Sequence, residues 1–103
     1  MRLVYLESTR LDLVWFRTYY RSVFQEGAAQ AGARYVKAID NLRANPYIGP
    51  PIGQDGLRKL VIPKTPFVVF YRVSDDRIEI VRIWDQRADP EELGFHEEAA
   101  ALA

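Results

Sequence analysis

Arg58, Lys59, Arg72, Arg82 and Arg87 sit on or beside β-prone runs in the second half of the chain, and they carry its first chemical hint. Arginine presents a planar fork of donors that fits phosphate or carboxylate two bonds at a time, whereas lysine is a compact point charge. Trp84, between Ile83 and Asp85, adds an aromatic that suits a core edge, an interface anchor or a platform for base stacking. The bland alternative is that these arginines are surface groups, stacking on Tyr71 or Trp84 and pairing with Asp75, Asp76, Glu79 or Asp85. Other chemistries find no support. With no cysteine there is no thiolate nucleophile, disulfide or cysteine metal site. One histidine and scattered acids lack metal-ligand spacing, and NPYIGPPIG puts prolines where a phosphate cradle needs free amides and a following lysine. We therefore expect no metal and no cofactor.

The formal net charge of zero hides a split. Residues 1–87 hold all fourteen Lys and Arg against nine acids, while 88–103 hold Asp89, Glu91, Glu92, Glu97 and Glu98 with no Lys or Arg. A basic body suits contact with nucleic acid or an acidic protein, with the tail screening it; a solvated acidic helix explains the tail equally well. His96 lies in that tail, where a lone histidine is more often solvated than catalytic.

These residues need a scaffold, and 103 residues suffice for one core but not two. A single domain over 1–103 is expected, with 90–103 as its acidic tail. No run approaches the ~20 apolar residues of a membrane span, and MRLVYLESTR lacks the apolar core of a secretion signal. Together with the missing cysteines this points to the cytoplasm and to no membrane partner.

Leu3 to Leu6 reads as a first strand, followed by a Ser8/Thr9 pair able to cap a helix. From Ser8 to Phe24 two apolar rows recur at helical spacing: Leu11, Val14, Trp15, Tyr19 and Val23, then Leu13, Phe16, Tyr20 and Phe24. Both cannot face one small core, so the second is expected to be covered by helix two, a dimer mate or a partner. Gly27 reads as an interruption, after which Gly32, Tyr35, Val36, Ile39 and Leu42 trace one face of a second helix ending before Pro46. The turn-rich segment 45–56 reads as an ordered loop. Three strands follow at Leu57–Ile62, Phe67–Val73 and Arg77–Trp84, the middle one apolar almost throughout as an interior strand should be. Residues after Pro90 read as a short helix, with Leu93 and Phe95 as anchors. The order β, α, α, β, β, β implies an α+β domain: an N-terminal strand and helical hairpin, then a three-stranded antiparallel meander packed on the helices, leaving the opposite sheet face partly open.

Taken in order, these segments resemble the RelE/ParE superfamily of type II toxin–antitoxin systems, and its ParE-like branch in particular. ESTRLDLVWFRTYY (7–20) resembles the first ParE helix, NPYIGPPI (45–52) the loop after the helices, and LRKLVIPKTPFVVFYRVSDDRIEIVRIWDQRADP (57–90) the C-terminal sheet. The resemblance implies a toxin neutralised by a cognate ParD/RelB-like antitoxin and directed at DNA gyrase by binding. For target binding it points to Arg58, Lys59, Arg72, Arg82, Trp84 and Arg87, the last standing where relatives carry a basic or histidine-containing stretch. For the antitoxin, the row Leu13, Phe16, Tyr20 and Phe24 or a sheet edge offers helix-in-groove or strand-addition docking.

The RelE-like alternative is a ribosome-dependent mRNA endoribonuclease, which needs an acid, a base and charge stabilisers close together. Lys59, Arg87 and His96 are the candidates. The strand position that holds an arginine in RelE falls near Val68, and the expected C-terminal tyrosine is missing. A non-toxic binding module is a third reading.

Overall fold

The computed structural model describes residues 1–23, 25–53 and 55–87, and among them all side chains except those of 16, 19–23 and 25–28. In chain order the elements are β1 (Arg2–Tyr5), a 3-10 turn (Glu7–Thr9), α1 (Arg10–Val23), α2 (Gln25–Ala44), β2 (Leu57–Val61), β3 (Phe67–Val73) and β4 (Arg77–Asp85). The α+β class, the first strand, the helical pair and the antiparallel meander are all as expected. The C-terminal helix expected after Pro90 lies outside the described residues.

The meander gains a fourth strand. The sheet order is β1-β4-β3-β2, with β1 parallel to β4 and the other pairs antiparallel. The two helices carry the chain from β1 to β2 at the opposite edge, and the meander then returns to bring β4 beside β1. β3 is the interior strand, and its first five residues are buried.

Gly27 does not interrupt the helices, because α2 already begins at Gln25. A glycine inside a helix costs only about 1 kcal/mol relative to alanine, and here it sits in an alanine-rich stretch. α2 buries Ala31, Ala38, Ile39 and Leu42. Val36, expected on the buried face, is exposed. Ala38, Ile39 and Leu42 meet Phe67, Val69, Tyr71, Ile78, Ile80 and Ile83 from one sheet face, forming the main core with Leu3, Leu13, Tyr35, Leu60 and Val73 at its margin.

On α1 the two rows trade places where they can be compared. Leu13 is half-buried against the main core, while Leu11, Val14 and Trp15 are 78%, 58% and 46% exposed. The Trp15 ring still reaches inward, its centroid 5.7 Å from that of Phe67.

The reason for this rotation is Asp12, which anchors α1 to β4. β1 pairs with β4 only as far as Ile80, so the rest of that edge needs other partners. The Leu6 amide and the Thr9 hydroxyl donate to the Ile80 carbonyl (3.0 and 2.7 Å), and the Ser8 hydroxyl donates to that of Val81 (2.7 Å). The Ile83 amide donates to Asp12 Oδ2 at 3.0 Å. Side chains thus continue a ladder that backbone pairing leaves unfinished, as buried amides require. Ser8 and Thr9, read as capping residues, serve this edge instead.

The second sheet face is not an open shelf. Val68 and Phe70 are buried there, with Ile52, Leu57 and Trp84 packed against them. Ile52 comes from the 45–56 loop, which docks on the outer edge of β2 through the Ile52 amide to the Leu57 carbonyl (2.8 Å) and the Lys59 amide to that of Pro50 (3.1 Å). No described helix is long and apolar enough to cross a membrane.

Candidate functional site

Side chains alternate along a strand, and partners directly opposite share a face. Lys59 is opposite Phe70, which is opposite Arg82; Leu57 is opposite Arg72, which is opposite Glu79. These residues therefore belong to the second face, together with Val61, Val68 and Trp84. A bulge in β4 between the partners of Phe70 and Tyr71 preserves this division, since Val81 is the extra residue. The parallel register adds Arg2 beside Arg77 and Val4 beside Glu79.

Arg58 is opposite Tyr71 and so lies on the helix side. Its guanidinium donates to the carbonyls of Gly49 (2.7 Å) and Tyr47 (3.3 Å) and lies 4.8 Å from the Tyr47 ring centroid. The Gly49 amide donates to the Tyr71 hydroxyl at 2.9 Å. Burial pushes the Tyr71 phenol above its usual pKa, partly offset by the Gly49 amide and the nearby Arg58 charge. Gly49 is required because a Cβ there would lie 2.7 Å from the Lys59 carbonyl oxygen and 2.9 Å from the Tyr71 hydroxyl. Arg58 thus fastens the loop and takes no place among the second-face cations.

Arg82 is held as firmly. Its guanidinium donates Nε to Asp12 Oδ2 (2.7 Å) and Nη2 to Oδ1 (3.0 Å), and lies 5.1 Å from the Trp84 ring centroid. Arg87, past the end of β4, donates Nη2 to Asp85 Oδ2 (2.7 Å) and Nε to Oδ1 (3.0 Å), while its amide also bonds Oδ1 (2.8 Å). Burial alone would raise the Asp85 carboxyl, but these bonds and the Arg87 charge outweigh it and hold the pKa below the usual carboxylate range.

Arg72 is more loosely placed, its Nε 3.9 Å from Glu79 Oε1 with nearly half of its side chain exposed. Glu79 gives its other oxygen to Arg77 at 2.6 Å.

The six residues expected to form one target-binding group are therefore divided. Lys59, Arg72, Arg82 and Trp84 share the second face, Arg58 is turned into the loop, and Arg87 is clasped by Asp85 beyond the strand. Trp84 is half-buried against Val68 and Phe70, which fits the core-edge reading. His96 lies outside the described residues. In the antitoxin row only the side chain of Leu13 is described; Phe16, Tyr20 and Phe24 carry no side-chain description. No group of His, Cys, Asp and Glu among the described residues could hold a metal ion.

Sequence reasoning missed three things. Asp12 is the anchor of α1, and its partners Arg82 and Ile83 are too distant in sequence for any local pattern to reveal. Arg2 and Arg77 join the second face only because β1 pairs in parallel with β4. Tyr47 and Ile48 are exposed in the loop and line a shallow depression with Ala44, Asn45 and Pro46.

The second face thus joins cations to a small apolar centre. The sequence profile of the ParE toxin of type II toxin–antitoxin systems matches residues 4–90. The chain belongs to the ParE toxin family. Among solved structures it is similar to the chromosomal ParDE toxin–antitoxin system from P. aeruginosa, with 29% identity and a TM-score of 0.64, over 81% of this chain and 92% of that one. No curated protein matches it. The chain is a ParE-type toxin of a type II toxin–antitoxin system.

Proposed function

We propose that this ParE-type toxin acts by binding DNA gyrase, performs no chemistry of its own, and is neutralised by a cognate ParD/RelB-like antitoxin. The observation that favours binding over RNA cleavage is Val68. Where a RelE-type ribonuclease carries an arginine, this chain has a valine only 1% exposed in the apolar cluster of the second face. Arg87, a stabiliser in the ribonuclease reading, has its guanidinium engaged by Asp85, and Lys59 is on β2, with β3 between it and β4.

The working residues of the target-binding face are Lys59, Arg72, Arg82 and Trp84, with Arg87 at its end. Arg72 and Lys59 make the direct charged contacts, whereas Arg82 and Trp84 shape the ground between them. Arg58 supports this face by fixing the loop behind β2. The antitoxin is assigned to the helical pair. The turned-out Leu11, Val14 and Trp15 give an amphipathic helix apolar ground there, beside the row of Leu13, Phe16, Tyr20 and Phe24.

The test is a supercoiling assay with purified gyrase run beside cell-free translation. Added toxin is expected to block supercoiling and leave translation and its mRNA intact, and a stoichiometric antitoxin is expected to restore supercoiling. Intact supercoiling with mRNA cut inside translated codons would replace this reading with the ribonuclease.

A further inference from the structure

We propose that Arg2, Arg72 and Arg77, at the corner of the second face where β1 and β4 begin, form a binding site for a phosphate group. Three adjacent strands supply one arginine each. Arg2 on β1 is directly opposite Arg77 on β4, and Arg72 on β3 is opposite Glu79, two residues along β4 from Arg77. Neighbouring strands are about 4.8 Å apart and residues two apart along a strand about 6.6 Å, so the three backbone positions lie within about 12 Å of one another. The site shares only Arg72 with the gyrase-binding face proposed above and does not depend on it.

Glu79 organises this corner without filling it. Its side chain is 13% exposed, and it accepts from Arg77 Nη2 at 2.6 Å while Arg72 Nε lies 3.9 Å from its other oxygen. One carboxylate is thus shared unequally by two guanidiniums, and that of Arg72 is too far away for a hydrogen bond. Arg2 is exposed, and its guanidinium has no ion pair or hydrogen bond among the described residues. Asp75 and Asp76, at the exposed tip between β3 and β4, pair with none of the three. Like charges at directly opposed strand positions repel, and Arg2 beside Arg77 is such an arrangement, in which Arg2 gains no compensating acid. A sequence that breaks a local rule of this kind does so most often where it binds something.

The donors left over call for more than a second carboxylate. Each guanidinium carries five N–H donors, whereas a carboxylate presents two oxygens in one plane. A phosphate group presents up to three strongly accepting oxygens in a tetrahedral arrangement, which suits guanidiniums arriving from three strands. Glu79, Asp75 and Asp76 match Arg2, Arg72 and Arg77 in number, so no net charge draws an anion to this corner from a distance. Selection therefore rests on contact geometry, and a tetrahedral anion is preferred over a planar one of similar charge.

The test follows the guanidinium Nε–H signals of the full chain by NMR while inorganic phosphate is added at constant ionic strength, with succinate, a dianion of two planar carboxylates, as the control. The signals of Arg2, Arg72 and Arg77 are expected to move together and saturate with phosphate and to move little with succinate, while those of Arg34 and Arg43 on α2 stay in place. Arg2→Gln and Arg77→Gln should each weaken phosphate binding about three-fold or more, whereas Lys37→Gln on α2 should leave it unchanged. Arg2 is exposed, so its variant stays folded and keeps the test decisive. A short duplex DNA added in the same way identifies the source of the phosphate. If the group belongs to a nucleic-acid backbone, the same three signals move and Arg2→Gln weakens the effect; if it belongs to a small phosphate ester, only inorganic phosphate moves them. Signals that do not move with phosphate, that move equally with succinate, or that respond unchanged in Arg2→Gln and Arg77→Gln would overturn the site. No gyrase takes part, so this result and the supercoiling assay can fail independently.

Discussion

The two faces of the sheet are built from the same four strands and differ in composition. The helix-side face is apolar through its centre, and α2 seals it with Ala38, Ile39 and Leu42. The second face has a small apolar centre, Val68 and Phe70, set among cations. Burial drives folding in proportion to the apolar area removed from water, so the first face carries most of the stability. In the function proposed above, the second serves recognition. Alternation along each strand lets one sequence specify both, and the Val81 bulge keeps Arg82 and Trp84 on the second face.

The largest effect is expected where the first face is emptied. Phe67→Ala removes a fully buried ring and should destabilise by about 3–5 kcal/mol, read as a lower denaturation midpoint; a loss near zero would mean the core lies elsewhere. Asp12→Ala leaves Arg82 and the Ile83 amide without their carboxylate and is expected to cost about 2–4 kcal/mol. Its control is Asp12→Glu, which should recover only part of that loss because the longer side chain displaces α1. Gly49→Ala forces the loop off the β2 edge against the Lys59 carbonyl, at about 1–3 kcal/mol. Its distinguishing mark would be faster exchange of the Lys59 and Ile52 amides, with α2 unaffected.

Asp85 gives a smaller, pH-dependent signal. Its folded pKa is depressed, so its contribution is fully present above the unfolded carboxylate value of about 3.9 and is lost as pH falls through the lower folded value. Asp85→Asn should therefore be less stable than the natural chain at neutral pH, with the gap closing below about pH 4. A gap that stays constant with pH would show that the carboxylate's charge contributes nothing. The smallest stability change, under about 0.5 kcal/mol, is expected for Arg72→Glu on the second face.

How much of this was legible beforehand follows from the range of each signal. FVVFYRV could be placed inside the sheet because a run apolar on both faces has no alternative in so short a chain. The charge split could be counted directly. α1 was ambiguous because apolar residues recur around most of its circumference, so periodicity alone could not say which row turns inward. Asp12 settles that orientation, and its contact with β4 spans most of the chain. The arginines were recognised as a group by type, but type does not reveal that Arg58 reaches a loop carbonyl, Arg82 a helix carboxylate and Arg87 its own strand end. Glycine at 49 was visible as a turn residue, whereas its actual constraint is the approach of the Lys59 backbone.

The division of labour between the faces is tested most directly by gyrase supercoiling with the double variant K59E and R72E, its thermal midpoint measured alongside. The account predicts that the variant folds with an unchanged midpoint, still binds its antitoxin, and no longer blocks supercoiling. A well-folded variant that inhibits gyrase as strongly as the natural chain would contradict it.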